Sequence, residues 1–74
     1  MKTISKETLA MVREQYPKGT RVELVRMDDP YTKLIAGDKG TVNHIDDMGT
    51  IHISWDCGSS LGAVYGVDII TKIV

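Results

Sequence analysis

Two hydrophobic periodicities divide the chain. In the first part, Leu9, Val12 and Tyr16 recur three and four residues apart, the stripe of an amphipathic helix. Ser5 stands where an N-cap oxygen accepts from the first turn. Glu7 follows where a carboxylate meets the positive end of the helix dipole. Ile4 and Leu9 have the spacing of a hydrophobic staple, and Pro17 disfavours helical geometry at Tyr16 and ends the segment. The pattern predicts a helix over residues 5–16. A helix of this length is marginal in water, so its stripe must dock, either as a cap on the rest of the chain or against a second subunit.

After Lys18-Gly19 the period becomes two. Residues 21–26 alternate as a first strand, residues 40–46 as a second and residues 50–56, with Ile51, Ile53 and Trp55 in phase, as a third. Asp47-Met48-Gly49 between the last two is a tight turn. With Gly49 in the left-handed position, such a turn pairs Ile45 with Ile51 and His44 with His52. Bringing Val42 inward as well then requires a bulge near Asn43. Residues 61–64 read as a short fourth strand, residues 65–68 as a single helical turn and residues 69–74 as a fifth strand. Residues 27–38 form a long connection punctuated by Asp-Pro and Gly-Asp, in which Lys33-Leu34-Ile35-Ala36 is apolar enough to pack partly on the core. These elements predict a mainly β fold: a five-stranded SH3-like small barrel over residues 18–74, preceded by a short N-terminal α-helix within residues 1–17, one domain overall.

The string Gly40-Thr41-Val42, Ile45-Asp46-Asp47, Gly49, Ile51, Ile53, Trp55-Asp56, Gly58-Ser59 resembles the central hairpin of SH3-like barrels, the Mind-bomb type in particular. Over nearly its whole length, the chain is similar to a small uncharacterised domain family of bacteria, phages and mobile elements. Pro17-x-Gly19-x-x-Val22, the Asp-Pro loop, Gly37-x-x-Gly40 and Val67-Asp68 carry that likeness. The resemblance implies a stand-alone barrel, often carried on mobile DNA, and brings no catalytic residues with it. Mind-bomb domains bind peptides.

Composition narrows the functional classes. A chain of 74 residues is one domain, buries only ~60% of its unfolded surface and gains from self-association; a homo-oligomer, in the first instance a dimer, is expected. Nine basic and ten acidic residues are scattered without a basic block, which weakens the case for phosphate-backbone binding. A single cysteine, Cys57, allows no internal disulfide and fits a reducing cytoplasm. No segment approaches a membrane span, and no apolar run of signal-peptide length follows the first residues.

Candidate chemistry is sparse. Trp55 shares a strand face with two isoleucines, so it reads as core, its indole N–H finding a carbonyl at the rim. His44 and His52 face outward together, either as an ordinary polar pair or as a surface that shares a ligand or proton; two histidines fall short of a zinc site. Cys57 has no base within reach, because His52 points to the other face of its strand, and reads as an inert thiol. Asp28-Asp29 and Asp46-Asp47 sit beside Pro30 and Gly49 as turn caps. The loop edge remains, with Tyr31, Lys33, Asp56, Ser59 and Tyr65 as a contact set.

These features predict a non-enzymatic binding module without cofactor or metal, acting on a protein or a small ligand. The mobile-element resemblance implies a host defence protein or a sequestered nucleotide signal. The alternative is a nucleic-acid-binding small barrel that gathers Arg21, Arg26, Lys33, Lys39 and Lys72 on one face.

Overall fold

The computed structural model describes residues 4–27 and 33–73. Helix α1 (Lys6–Gln15) leads into five strands, β1 (Arg21–Arg26), β2 (Lys39–Ile45), β3 (Thr50–Trp55), β4 (Ala63–Val64) and β5 (Ile69–Lys72). The strands form one antiparallel sheet in the order β4-β3-β2-β1-β5. The helix starts as its sequence requires: Ser5 accepts from the Thr8 N–H at 3.1 Å, and Glu7 sits in the first turn. Val12 is fully buried in the same core as Val22, Leu24, Val42, Ile51, Ile53 and Trp55, while Ile4, Leu9 and Tyr16 pack around it. The helix therefore caps the sheet within one chain. Arg13 fastens it from outside, donating to the Ile45 carbonyl at 3.2 Å and to Asp47 Oδ1 at 2.9 Å.

The central hairpin has the expected register, with Ile45 opposite Ile51 and His44 opposite His52. The ladder slips between Val42 and His44, so Asn43 is the extra residue. That bulge lets Val42 and Ile45, three apart, both face the core, which strict alternation forbids. Gly49 closes the turn at φ +85° and is itself buried against Ile4. Trp55 is buried, and its Nε1–H donates to the Leu61 carbonyl at 2.8 Å.

Three expectations need correction. The fourth strand is shorter than residues 61–64 and comprises only Ala63–Val64. Residues 65–68 are not a helical turn: Gly66 has φ +86°, outside helical space, and the N–H groups of Val67 and Asp68 both reach the Val64 carbonyl. The fifth strand spans Ile69–Lys72, shorter than residues 69–74. The connection after β1 does pack partly on the core, through buried Leu34, while Ile35 faces solvent.

The sheet curls without closing into a barrel. A flat five-stranded sheet would set its edge strands ~19 Å apart. Here the two edges, β4 and β5, are joined by residues 65–68 alone, and Tyr65 and Asp68 within that connection form an isolated parallel bridge. The edges must therefore approach each other, yet no ladder joins them among the described residues. The result is an open seam between β4 and β5.

Candidate functional site

The seam is a groove. Its volume is about 510 Å³, in the range of sites that take ligands. Val64, Tyr65, Val67 and Ile69 line its walls, and all four are exposed, Val67 to 53% and Ile69 to 49%. Its floor reaches the buried side chains of Ile51 and Ala63. The shape follows from the two short elements at the edges: a two-residue β4 leaves the flank of β3 bare, and the Gly66 turn swings the chain to the far edge before β5 begins.

Two charged residues border the groove, Arg26 and Asp68. Arg26 owes its place to a second bulge. The β1–β5 register runs Leu24 to Ile70 and then Arg26 to Ile69, so Val25 is the extra residue. Alternation alone would have turned Arg26 to the core side with Leu24; the slip places it at the groove instead. Asp68 Oδ2 accepts from the Val64 N–H at 2.9 Å, bracing the turn across the groove end. Tyr16 closes the opposite part, with the Lys72 ammonium 5.7 Å from its ring centroid, a cation–π contact.

The residues singled out from the sequence do not converge. Tyr31 lies outside the described residues. Lys33 is exposed. Asp56 and Ser59 stand at the end of β3, where the Asp56 N–H meets the Lys39 carbonyl and the Ser59 carbonyl accepts from Trp55. Tyr65 stands at the other end, its N–H on the Gly49 carbonyl. A six-residue strand separates them, ~17 Å at strand rise, so the expected single loop edge is split in two. Asp56 is moreover engaged: Arg21 grips both its oxygens, Nη1 at 2.8 Å and Nη2 at 2.6 Å. That bidentate bond holds the Asp56 carboxyl below its usual range and raises the guanidinium. Ser59 Oγ accepts from the Leu61 N–H at 3.3 Å and shapes the loop.

The histidine pair is built as its register demands. The two rings stack with centroids 4.3 Å apart and planes 9° from parallel. His52 Nε2 lies 2.9 Å from Asp46 Oδ2; a carboxylate can only accept, so Nε2 carries the proton there. Asp46 Oδ1 in turn accepts from the Thr50 and Met48 N–H groups. The His52 bond, with these two backbone bonds behind it, holds the Asp46 carboxyl below its ordinary value. His52 and Ile51 are adjacent on β3 and point to opposite faces, so the pair lies on the outer face, away from the buried Ile51 side chain. Among the described residues, no three His, Cys, Asp or Glu side chains gather in a way that could hold a metal ion. Cys57 is an exposed, free thiol.

Among the described residues these features form no assembled catalytic constellation, and the fold must place the chain. The chain belongs to the family described as a domain of unknown function, DUF4314, whose model matches residues 5–73. The match spans α1 and all five strands, so the DUF4314 unit includes the helix together with the sheet. No curated protein and no solved structure matches the chain. No helix among the described residues is long and apolar enough to cross a membrane.

Sequence reasoning missed most of the groove. Val64, Val67 and Ile69 read as strand and turn interior, and Tyr16 as helix stripe. One signal was present: Val64-Tyr65-Gly66-Val67 and Ile69-Ile70 form an apolar run around a glycine with no alternation, which a half-buried edge strand should show.

Proposed function

We propose that this DUF4314 chain is a non-enzymatic binding module, an SH3-like small barrel left open along one seam, and that it takes its partner in the groove there. The observation that carries this reading is the concentration of exposed Val64, Tyr65, Val67 and Ile69 around a concavity of about 510 Å³. Exposed apolar patches rimmed by polar groups mark interaction sites. The strand count, the short connection between edge strands and the bulged central hairpin support the SH3-like reading. The likeness to domains carried by phages and mobile elements supports a host protein as the partner. A nucleotide signal fits less well, because Arg26 is the one basic side chain on an otherwise mostly apolar lining. Nucleic acid also draws less support: Arg21, a member of the expected basic set, is bound to Asp56.

The test is co-purification from host lysate with the native chain, with Val67→Glu and with a His44→Ala/His52→Ala double variant. The reading expects a partner that is retained by the native chain and the histidine variant and lost with Val67→Glu. Capture unaffected by Val67→Glu, or substrate turnover that depends on Cys57 or His52, would overturn it.

A further inference from the structure

The backbone along the groove carries more information than its side chains. The Ile73 N–H donates to the Arg21 carbonyl at 3.0 Å, so these two residues form a hydrogen-bonded pair of the β1–β5 ladder. Hydrogen-bonded and non-bonded pairs alternate in an antiparallel ladder. With Glu23 opposite Thr71, Leu24 opposite Ile70 and Val22 opposite Lys72, the pairs at Ile70 and Lys72 are the non-bonded ones. Leu24 confirms the phase, because its N–H and carbonyl turn the other way, to Asp38 and Gly37. The N–H and carbonyl groups of Ile70 and Lys72 therefore point away from β1, into the seam. β5 is an edge strand, and no group among the described residues pairs with them.

The edge of β5 thus offers four unpaired main-chain groups at strand spacing, those of Ile70 in the groove and those of Lys72 just beyond it, beside a floor that opens on Ile51 and Ala63. Its lining carries one cation and one anion, Arg26 and Asp68. Arg26 lines the groove and makes no ion pair among the described residues, while the Lys72 ammonium sits over the Tyr16 ring beside it. Asp68 is turned to the Val64 N–H.

Resting on the groove reading above, we infer that the occupant is an extended peptide segment of a partner protein, which adds to β5 as a sixth strand, with apolar side chains at alternate positions and a carboxylate that meets Arg26. Strand addition accounts for both features at once: main-chain hydrogen bonds satisfy Ile70 and Lys72, and every second side chain of the incoming strand drops onto the apolar floor. Charge complementarity places the acidic residue opposite Arg26, since a lysine at that point would meet a like charge.

The experiment is selection of displayed random nonapeptides on the full chain, followed by measurement with a synthetic copy of the most enriched peptide. Enriched sequences should alternate apolar residues and contain Asp or Glu. The synthetic peptide should lose at least about tenfold in affinity for Arg26→Glu, a substitution at an exposed site whose folding circular dichroism verifies. Its analogue N-methylated at alternate amides should not bind, and in the native complex the Ile70 and Lys72 amides should become protected from hydrogen exchange. A peptide that shifts groove side chains but tolerates N-methylation and leaves those two amides unprotected would overturn strand addition while leaving the groove standing. Absence of any enriched peptide, or self-association of the chain that protects the same two amides, would overturn the inference as well, the latter by assigning the edge to a second copy.

Discussion

His52 Nε2 stands 2.9 Å from Asp46 Oδ2, across the turn that joins β2 to β3. Asp46 is thereby bonded to the side chain of one strand and, through Oδ1, to the backbone of the turn itself. Its carboxyl is held below the ordinary range, first by His52 and then by the Thr50 and Met48 N–H groups. A carboxyl whose folded value is depressed stabilises the fold above its unfolded value, ~3.9, and loses that contribution as pH falls through the folded value. Asp46→Asn should therefore lower the melting temperature by a few degrees near neutral pH. The gap to the native chain should close as pH drops below about 4, measured by thermal melts across that range.

The Arg21–Asp56 pair is well formed but solvent-exposed, with side chains 39% and 55% accessible. Exposed pairs contribute little and are screened by salt. Arg21→Ala and Asp56→Ala should each shift the melting temperature only slightly, and the shifts should shrink in high salt. Asp56→Ala should leave partner capture intact, because Asp56 is remote from the groove.

Trp55 is the single tryptophan, and it is buried with its N–H on the Leu61 carbonyl. Trp55→Phe removes that bond and part of the packing and should cost ~1–2 kcal/mol; Trp55→Ala should cost ~3–5 kcal/mol. Urea unfolding followed by circular dichroism measures both. In the native chain, emission should be blue-shifted and move red on unfolding.

Gly40 has an ordinary backbone angle, yet it admits no side chain. A Cβ there would lie 2.6 Å from Ile53 Cγ2, 2.9 Å from the Ser54 carbonyl oxygen and 3.0 Å from the Trp55 ring. Replacing Gly by Ala usually stabilises where the backbone permits; here Gly40→Ala should destabilise by ~1–3 kcal/mol through overpacking. A urea midpoint at or above that of the native chain would refute the close approach of β2 and β3.

Ser5 accepts from the Thr8 N–H and starts the helix that carries Val12 into the core. Ser5→Ala should cost ~1 kcal/mol, and Val12→Ala should cost more, because it leaves a cavity where the helix's fully buried side chain meets the core. Amide exchange over residues 6–15 should rise in both variants, and further in the second.

Local chemistry was legible wherever a short stretch decides its own geometry. Ser5 and Pro17 bounded the helix, Gly49 set the turn, and the turn set the pairing of His44 with His52. Parity then demanded the bulge at Asn43 and placed Trp55 inside. The groove was not legible, because it belongs to no single stretch. Val64 and Ile69 are neighbours in sequence but lie on opposite edges of the sheet, and only the curl that brings β4 toward β5 makes one concavity of them. Arg26 reaches that concavity through the slip at Val25, which depends on how β1 meets β5. The expected contact set failed for the same reason: Asp56 and Tyr65 both follow from β3, one at each end, and a strand holds its ends apart. Periodicity determined which residues face inward; the path of the chain across the sheet decided where the inside is left open.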